Sequence, residues 1–283
     1  MNAASTIAER LLAHLGLDRE APSLEYLDRI IDRHQRRVPF ETLTKLVDYE
    51  SGLARGDFLP PIEEYVERVI ERGAGGLCWT LARGLHFLLD ELGFRASLMY
   101  MDPGHCCVRV ELPEGSFYAD VGYSAPLFRA YPLFTSFTLE TAAERFEYEV
   151  GEEGIQVTRH PGPAKRLDPT PRSLESLQPN IARANDWGVE RSFLRILAVS
   201  RYVDGVYTSL RDGLYRRFTS SGIEERQVGG DEVRSLVENV FGIDPALFDA
   251  ALAVRARYAD SVADLGGEQS SRTSKSPDGA DDG

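Results

Sequence analysis

Residues 73–89, GAGGLCWTLARGLHFLL, place a cysteine between a run of glycines and an apolar pattern typical of a helix. Leucines recur at helical spacing after Cys78, and Gly93 stands where a helix C-terminus favours glycine. Gly75 and Gly76 allow a sharp turn, and a thiol in the first turn of a helix has its pKa lowered by free N–H groups. Cys78 is therefore predicted to be reactive, with the amides of Gly76 and Cys78 as oxyanion donors. The alternative is a small apolar residue at a helix start.

The composition favours a cytoplasmic protein with sizeable hydrophobic cores. Hydrophobic residues make up 42% of the 283 residues, and the net charge of −13 argues against a nucleic-acid partner. We find no signal-peptide pattern at the N-terminus and no apolar run long enough to span a membrane. Three cysteines, two of them adjacent, do not suit a disulfide framework. We therefore expect neither a membrane nor a nucleic-acid partner, and a homo-oligomer is compatible with the sequence.

The period of the hydrophobic pattern divides the chain and indicates an α+β fold. Residues 1–93 carry amphipathic helical patterns and include the candidate nucleophile. Over 94–190 the period changes to 2, and short strands between turn residues predict an antiparallel barrel or sandwich. Residues 191–265 mix strand and helix patterns, and the polar stretch 266–283 is predicted to be a disordered tail.

Individual elements follow from the same patterns. Helices are predicted at 23–37 with Ser23 as N-cap, at 61–71 beginning with Pro61, at 231–244 and at 245–265. Strands are predicted at 95–101, 106–112, 116–123, 146–153, 155–160, 192–199 and 206–220, with Asp-Gly turns at 204–205 and 212–213.

A nucleophilic thiol needs a base, and the base needs a group that orients it. His105 begins the strand pattern HCCVRVEL, and Asp120 lies in the next one, SFYADVGY. A buried carboxylate is costly without a partner, and the turn at 113–115 makes the two strands antiparallel, so Asp120 is predicted to lie near His105. A turn or edge carboxylate is the alternative for Asp120. Cys106 and Cys107 alternate with apolar residues and are predicted to pack in the core.

These motifs together resemble the arylamine N-acetyltransferase family. The similarity lies in GGLC before an apolar helix, a histidine 27 residues later at a strand start, and DVGY with its aspartate 15 residues beyond. PFET at 39–42 is similar to the family's Pro-Phe-Glu-Asn segment, and VENVFGID at 237–244 is similar to its C-terminal helix ending. The resemblance extends over about residues 5–260.

The resemblance implies an N-terminal helical bundle, a central antiparallel β-barrel and a C-terminal α/β lid over 191–265. It also implies a triad in which Asp120 holds His105 and His105 keeps Cys78 ionised. The implied reaction is ping-pong transfer of an acetyl group from acetyl-CoA, through a Cys78 thioester, to an arylamine, arylhydroxylamine or hydrazine nitrogen, with no metal. Phe40 and Tyr123 match family positions that line the acceptor pocket, and ordinary aromatic core is the alternative for both.

The sequence departs from the family pattern around the triad. Ala74, Thr80, Ala82 and Thr42 stand where the family usually has Arg, Glu, Asn and Asn. Arg72 is a candidate replacement for the missing arginine, and we expect it to pair with Glu41. These departures leave three other readings open: an amide synthase with a carrier-bound acyl donor, a hydrolase in which water replaces the amine, and a binding protein without turnover.

Overall fold

The computed structural model describes residues 3–141, 144–160, 162–189 and 192–272. The helices in these residues are α1 (Ala3–Leu15), α2 (Leu24–Arg37), α3 (Leu43–Arg55), α4 (Ile62–Arg72), α5 (Cys78–Glu91), α6 (Gln178–Ala184), α7 (Asp231–Asn239) and α8 (Pro245–Arg272). The strands are β1 (Phe40–Glu41), β2 (Arg95–Asp102), β3 (His105–Leu112), β4 (Gly115–Ala119), β5 (Tyr131–Pro132), β6 (Phe137–Glu140), β7 (Arg145–Gly151), β8 (Gly154–His160), β9 (Ala164–Arg172), β10 (Ala198–Val203), β11 (Val206–Arg211), β12 (Leu214–Thr219) and β13 (Gly222–Gln227). The fold is α+β with a helical N-terminal part, as predicted. None of the helices within the described ranges has the length and apolar character needed to cross a membrane.

The N-terminal helices begin and end at the residues that carry the sequence signals. Ser23 Oγ accepts a hydrogen bond from the Tyr26 N–H at 3.1 Å and so caps α2. Helix α5 begins at Cys78, and Gly93 follows its C-cap with a φ of 86°. Pro61 precedes the first residue of α4, where the prediction placed it inside the helix. These helices bury their apolar faces against β2, β3 and β4 in one core.

Eight antiparallel strands form a curled sheet in the order β5-β4-β3-β2-β9-β8-β7-β6. The rings of Tyr131 in β5 and Phe137 in β6 stack with centroids 4.0 Å apart, so the two edges of the sheet approach each other. Among the described residues no strand pairing joins β5 to β6, and Pro132 has no N–H to donate. The predicted central antiparallel barrel thus takes the form of a half-barrel, a curled antiparallel sheet whose edges meet through side chains.

A second antiparallel sheet, in the order β1-β10-β11-β12-β13, includes a strand from the N-terminal part. Phe40 in β1 pairs with Ser200 in β10 and also forms a bridge with Gly76. The segment that precedes Cys78 is thereby joined to this sheet. The predicted Asp-Gly turns at 204–205 and 212–213 connect β10, β11 and β12, and all four turn residues have positive φ.

Three predictions for the C-terminal half need correction. Helix α7 ends at Asn239, before its predicted end at residue 244. Residues 193–195 form a 3₁₀ turn where a strand was predicted, because Ser192 Oγ accepts the Leu194 N–H at 3.3 Å and caps the turn. Helix α8 continues through Arg272, beyond its predicted end at residue 265, since extending a helix is easier than starting one. Residues 273–283 of the predicted tail lie outside the described residues.

A second core joins α3 to the C-terminal helices. Leu43 and Leu46 of α3 pack with Leu247 and Phe248 of α8, and all four are buried. Ala74, which stands four residues before Cys78, is buried in the same core. The position of the cysteine therefore depends on contacts from both ends of the chain.

Candidate active site

Cys78 is the first residue of α5, and close backbone contacts hold the loop before it. A Cβ on Gly75 would lie 1.9 Å from the Pro39 carbonyl oxygen, so only glycine fits there. Gly76 has a φ of 149°, which favours glycine, and its carbonyl oxygen accepts the Glu41 N–H at 3.0 Å. The glycines therefore fix the helix start, and Cys78 itself is half-buried with a free thiol.

His105 and Asp120 meet as the hairpin predicts. His105 is the first residue of β3, and Asp120 follows the last residue of β4, its antiparallel neighbour. The distance between His105 Nε2 and Asp120 Oδ2 is 2.6 Å, and both side chains are almost entirely buried. Because Nε2 is bound to the carboxylate of Asp120, Nδ1 is the ring nitrogen that can interact with the sulfur of Cys78.

Further hydrogen bonds orient the Asp120 carboxylate. Its Oδ2 also accepts the Tyr118 hydroxyl at 2.6 Å, and its Oδ1 accepts the Gly122 N–H at 2.8 Å. The backbone oxygen of Asp120 accepts Gln35 Nε2 at 3.2 Å. The aspartate is thus held on both carboxylate oxygens and on its backbone, so it can fix the ring of His105 in one orientation.

The charges of the site favour an ion pair between Cys78 and His105. Burial alone raises the pKa of the Cys78 thiol, but hydrogen bonding and charge from His105, together with the Cys106 N–H, bring that pKa below its ordinary value. Burial alone lowers the pKa of His105, but the charge of Asp120 and its hydrogen bond raise it to about 9. A lowered pKa of the thiol beside a raised pKa of the imidazole favours the thiolate and imidazolium forms of the pair.

The backbone around the sulfur includes a donor that the sequence did not indicate. The Cys106 N–H donates to the Cys78 sulfur and lowers its pKa, and the Gly104 carbonyl oxygen lies 3.8 Å from the same sulfur. Cys106 and Cys107 are buried, and burial raises their thiol pKa values well above the ordinary range. Cys106 thus packs with its side chain, as expected, while its amide faces the reactive sulfur.

The two predicted pocket aromatics lie in different surroundings. The Tyr123 ring meets the His105 ring edge to face, with centroids 4.6 Å apart. The half-buried Phe40 ring lies 6.2 Å from the ring of Phe193, which is exposed. Tyr123 therefore packs directly on the base, whereas Phe40 lies near the surface.

Lys45 is a charged residue of the site that sequence reasoning missed. Its ammonium group donates to the Ala184 carbonyl oxygen and to Asn185 Oδ1, both at 2.8 Å, and both acceptors are neutral. Burial lowers the pKa of Lys45 to about 8, and the negative charge of Cys78 opposes that shift. Among nearby anions, the thiolate of Cys78 therefore has the largest effect on the pKa of Lys45.

Comparison with known proteins places the chain in a family. A family model described as N-acetyltransferase matches residues 23–245, which is most of the chain. The chain belongs to the arylamine N-acetyltransferase family. An arylamine N-acetyltransferase of Mycolicibacterium smegmatis is 30% identical over 128 residues, which make up 40% of this chain and 44% of that enzyme. The chain thus matches less than half the length of this relative.

Solved arylamine N-acetyltransferases share the fold. A structure of the Mycobacterium smegmatis enzyme matches with a TM-score of 0.72 and 22% identity, over 93% of this chain and 99% of that chain. The Mycobacterium marinum enzyme in complex with CoA matches with a TM-score of 0.70 and 19% identity, over 87% of this chain and 96% of that chain. These matches agree in fold with the family model over residues 23–245, which confirms the predicted membership of an acyltransferase family.

Ala74 stands where the arylamine N-acetyltransferase pattern has an arginine before the cysteine, and this replacement bears on the surroundings of Glu41. Glu41 is fully buried and accepts hydrogen bonds from the Thr44 N–H at 2.9 Å, the Thr44 hydroxyl at 2.7 Å and the Gly75 N–H at 3.2 Å. Burial raises the pKa of Glu41, and the hydrogen bonds from Thr44 oppose this. The expected pairing with Arg72 is wrong, because Arg72 Nε lies 2.8 Å from Asp244 Oδ2. Gly73 is the C-cap of α4 with a φ of 59°, and the backbone N–H of Gly75, not a side chain of α4, reaches the Glu41 carboxylate.

Gln35 and Tyr118, like Lys45, were missed by the sequence analysis, but these two residues leave a signal in the sequence. Gln35 falls on the buried face of α2, four residues after Ile31, and a polar residue on such a face needs a buried partner. Tyr118 precedes Asp120 by two residues, the spacing that places side chains on one face of a strand. Lys45 has no comparable signal, since its acceptors lie about 140 residues away in the chain.

Proposed function

We propose that this chain transfers an acetyl group from acetyl-CoA to an arylamine, arylhydroxylamine or hydrazine nitrogen by a ping-pong reaction through Cys78. The observation that carries the proposal is the 2.6 Å contact between His105 Nε2 and Asp120 Oδ2, beside a thiol whose pKa is lowered. The fold shared with the CoA complex of the Mycobacterium marinum enzyme supports a CoA thioester as donor.

In the first half-reaction the Cys78 thiolate attacks the carbonyl carbon of the thioester. The new bond joins Cys78 sulfur to the acyl carbon, the bond from that carbon to the CoA sulfur breaks, and CoA leaves with a proton from His105. The carbonyl oxygen carries negative charge in between. The amides of Cys106, Gly76 and Cys78 are the candidate donors to that oxyanion.

In the second half-reaction the acceptor nitrogen attacks the acyl carbon. His105 accepts the proton that the nitrogen loses, and Cys78 leaves again as a thiolate. Asp120 keeps the imidazole oriented in both steps, and Phe40 and Tyr123 line the acceptor pocket. The amide product and the free thiolate complete the cycle.

In this proposal three parts of the chain supply the site. Residues 1–93 carry the nucleophile, residues 94–190 carry the base and its carboxylate, and residues 191–265 act as a lid. Contacts over the loop that follows Asp120 support the lid. Ser124 Oγ lies 3.0 Å from Ser200 Oγ of β10 and 2.5 Å from the Tyr207 hydroxyl of β11.

Intact mass spectrometry after incubation with acetyl-CoA tests the proposal. We expect one acetyl adduct in the wild-type protein, none in Cys78→Ala, and loss of the adduct when an arylamine is added. The Cys106→Ala variant is the matched control and should still form the adduct. Absence of any adduct at saturating acetyl-CoA would overturn the proposal.

The adduct measurement, combined with iodoacetamide labelling of the thiol, separates the alternative functions. An adduct that decays without amine indicates a hydrolase. A thiol that reacts with iodoacetamide but forms no adduct with acetyl-CoA indicates another acyl donor, such as the carrier-bound chain of an amide synthase. A thiol that is inert at neutral pH indicates a binding protein.

A further inference from the structure

A cavity of about 640 Å³ lies outside the candidate active site. Its walls include His14 near the end of α1, Arg37 at the end of α2, Arg201 in β10, and the turns at Gly73 and Gly242 that follow α4 and α7. The volume is in the range of pockets that hold small molecules.

Two arginines of this cavity form no ion pair with any described carboxylate. Arg37 Nη1 donates to the His14 carbonyl oxygen at 2.5 Å, and Arg201 Nη1 donates to the Phe241 carbonyl oxygen at 2.8 Å. Neither guanidinium lies within 4.0 Å of a carboxylate oxygen in the part of the chain that the structure describes. A contact with a helix-end carbonyl accounts for one of the five N–H donors of an arginine, so each retains donors for a ligand.

The carboxylates in the wall of the cavity already face other arginines. The pairs are Asp244 with Arg72, Glu71 with Arg10 and Glu238 with Arg234, with nitrogen-to-oxygen distances of 2.8, 3.7 and 3.9 Å. The acidic residues therefore do not neutralise Arg37 and Arg201.

The two arginines act on one histidine. The pKa of His14 is lowered by burial and then by the charges of Arg37 and Arg201. Both guanidinium groups thus lie close enough to His14 to repel a proton from it. Asp204 acts on Arg201 only from beyond 4.0 Å. Like charges gathered around one cavity, with the carboxylates of its wall facing other arginines, are the arrangement that an anionic ligand stabilises.

The cavity lies on the opposite face of the second sheet from the loop that follows Asp120. Ser200 and Arg201 are consecutive in β10, so their side chains leave opposite faces of the sheet. Ser200 Oγ contacts Ser124 Oγ at 3.0 Å on the face of the candidate active site. Arg201 therefore points away from Asp120 and lines this cavity.

We propose that this cavity binds a phosphate group, held by Arg37 and Arg201. The planar guanidinium matches the geometry of phosphate oxygens and makes paired hydrogen bonds with them. The volume leaves room for a larger group attached to the phosphate. The phosphate belongs either to a separate phosphorylated ligand or to CoA, and the two sources are distinguished below.

Thermal unfolding in inorganic phosphate tests the site, with sodium chloride at matched ionic strength to subtract screening. We expect a saturable rise in Tm for the wild-type protein. Arg37→Gln and Arg201→Gln should each weaken phosphate binding roughly tenfold or more, because each removes one charged donor set. Arg217→Gln is the matched control, since Arg217 pairs with Glu224 on the surface of β12 and should leave binding unchanged.

If a glutamine variant folds poorly, isothermal titration with phosphate of the wild-type protein and of Arg201→Lys still tests the site. Arg201→Lys retains the charge but loses the planar donors, and it should bind phosphate less tightly than the wild-type protein and more tightly than Arg201→Gln. No saturable effect beyond that of chloride, or equal binding by all the variants, would overturn the proposal.

Titration of Cys78→Ala with CoA identifies the source of the phosphate without requiring turnover. If phosphate competes with CoA and Arg201→Gln weakens CoA binding, the cavity holds the phosphates of CoA. If phosphate and CoA bind independently, a separate phosphorylated ligand occupies the cavity.

Discussion

His105 Nε2 and Asp120 Oδ2 lie 2.6 Å apart, with side chains that are 5% and 0% exposed. Water cannot compete for this contact, so the carboxylate sets both the orientation and the charge of the imidazole. The pKa of His105 is lowered by burial and raised by Asp120, and the second effect prevails. The reactivity of Cys78 should therefore depend on a residue that does not touch the sulfur.

Replacing Asp120 with asparagine should slow alkylation of Cys78 at pH 7 by about tenfold or more. Without the carboxylate, burial makes the imidazole neutral and the thiol loses the charge that lowers its pKa. The rate of iodoacetamide labelling measures this. Tyr118→Phe removes one hydrogen bond and keeps the carboxylate, so it should have a smaller effect. Equal rates in Asp120→Asn and wild type would remove Asp120 from its assigned role.

Alkylation should occur at one cysteine and stay fast below pH 8. The pKa of Cys78 is lowered and that of His105 is raised to about 9, so the ion pair persists between the two values. A free thiol with a pKa of about 8.5 is only about 3% ionised at pH 7.

Peptide mapping of the labelled native protein should find the modification at Cys78 alone, because burial raises the pKa of Cys106 and Cys107. Glutathione labelled in parallel is the control for an ordinary thiol. A labelling rate that follows a pKa near 8.5 would contradict the ion pair.

The sequence predicts the parts of the site that lie close together in the chain. The turn at 113–115 joins β3 to β4, so the pairing of His105 with Asp120 follows from two neighbouring strands. The glycines at 75 and 76 and the leucine spacing likewise predict that α5 begins at Cys78. Each of these predictions rests on local geometry.

Contacts between distant segments are not predictable in this way. Strand β9, Ala164–Arg172, contains two prolines and several charges, yet it lies between β2 and β8 in the middle of the curled sheet. A shift in register between Leu98 and Tyr100 of β2 accommodates it. The expected pairing of Arg72 with Glu41 failed for the same reason, because Asp244 lies 172 residues away in the chain.

Replacing Gly122 with alanine should disable Cys78 while leaving most of the fold intact. A Cβ on Gly122 would lie 2.7 Å from Cys78 Cα and 3.1 Å from its Cβ, so the cysteine or the loop must move. We expect a loss of at least about tenfold in the rate of Cys78 alkylation, since small displacements of reacting groups are costly.

The matched control for this variant is Gly229→Ala, where an added Cβ would meet no atom of the described residues within 4 Å. It should alkylate at the wild-type rate. Wild-type rates in both alanine variants would show that the loop yields without moving the sulfur.

Lys45 should make the stability of the protein depend on pH above neutrality. Its pKa is lowered by burial from 10.5 to about 8 in the folded protein, so between these values the unfolded chain binds the extra proton. The folded state therefore gains stability as pH rises from 8 to 10.5. In Lys45→Met this gain is absent, and wild type should gain up to about 3 kcal/mol in the free energy of unfolding relative to the variant over that range.

Urea unfolding of wild type and Lys45→Met at several pH values measures the difference. The comparison cancels the tyrosines and other groups that titrate in both proteins. Alkylation of Cys78 removes the thiolate that opposes the effect of burial on Lys45, so in the alkylated wild-type protein the rise should begin at a lower pH. A difference in unfolding free energy that stays constant from pH 8 to 10.5 would show that Lys45 is solvated and does not sense the sulfur.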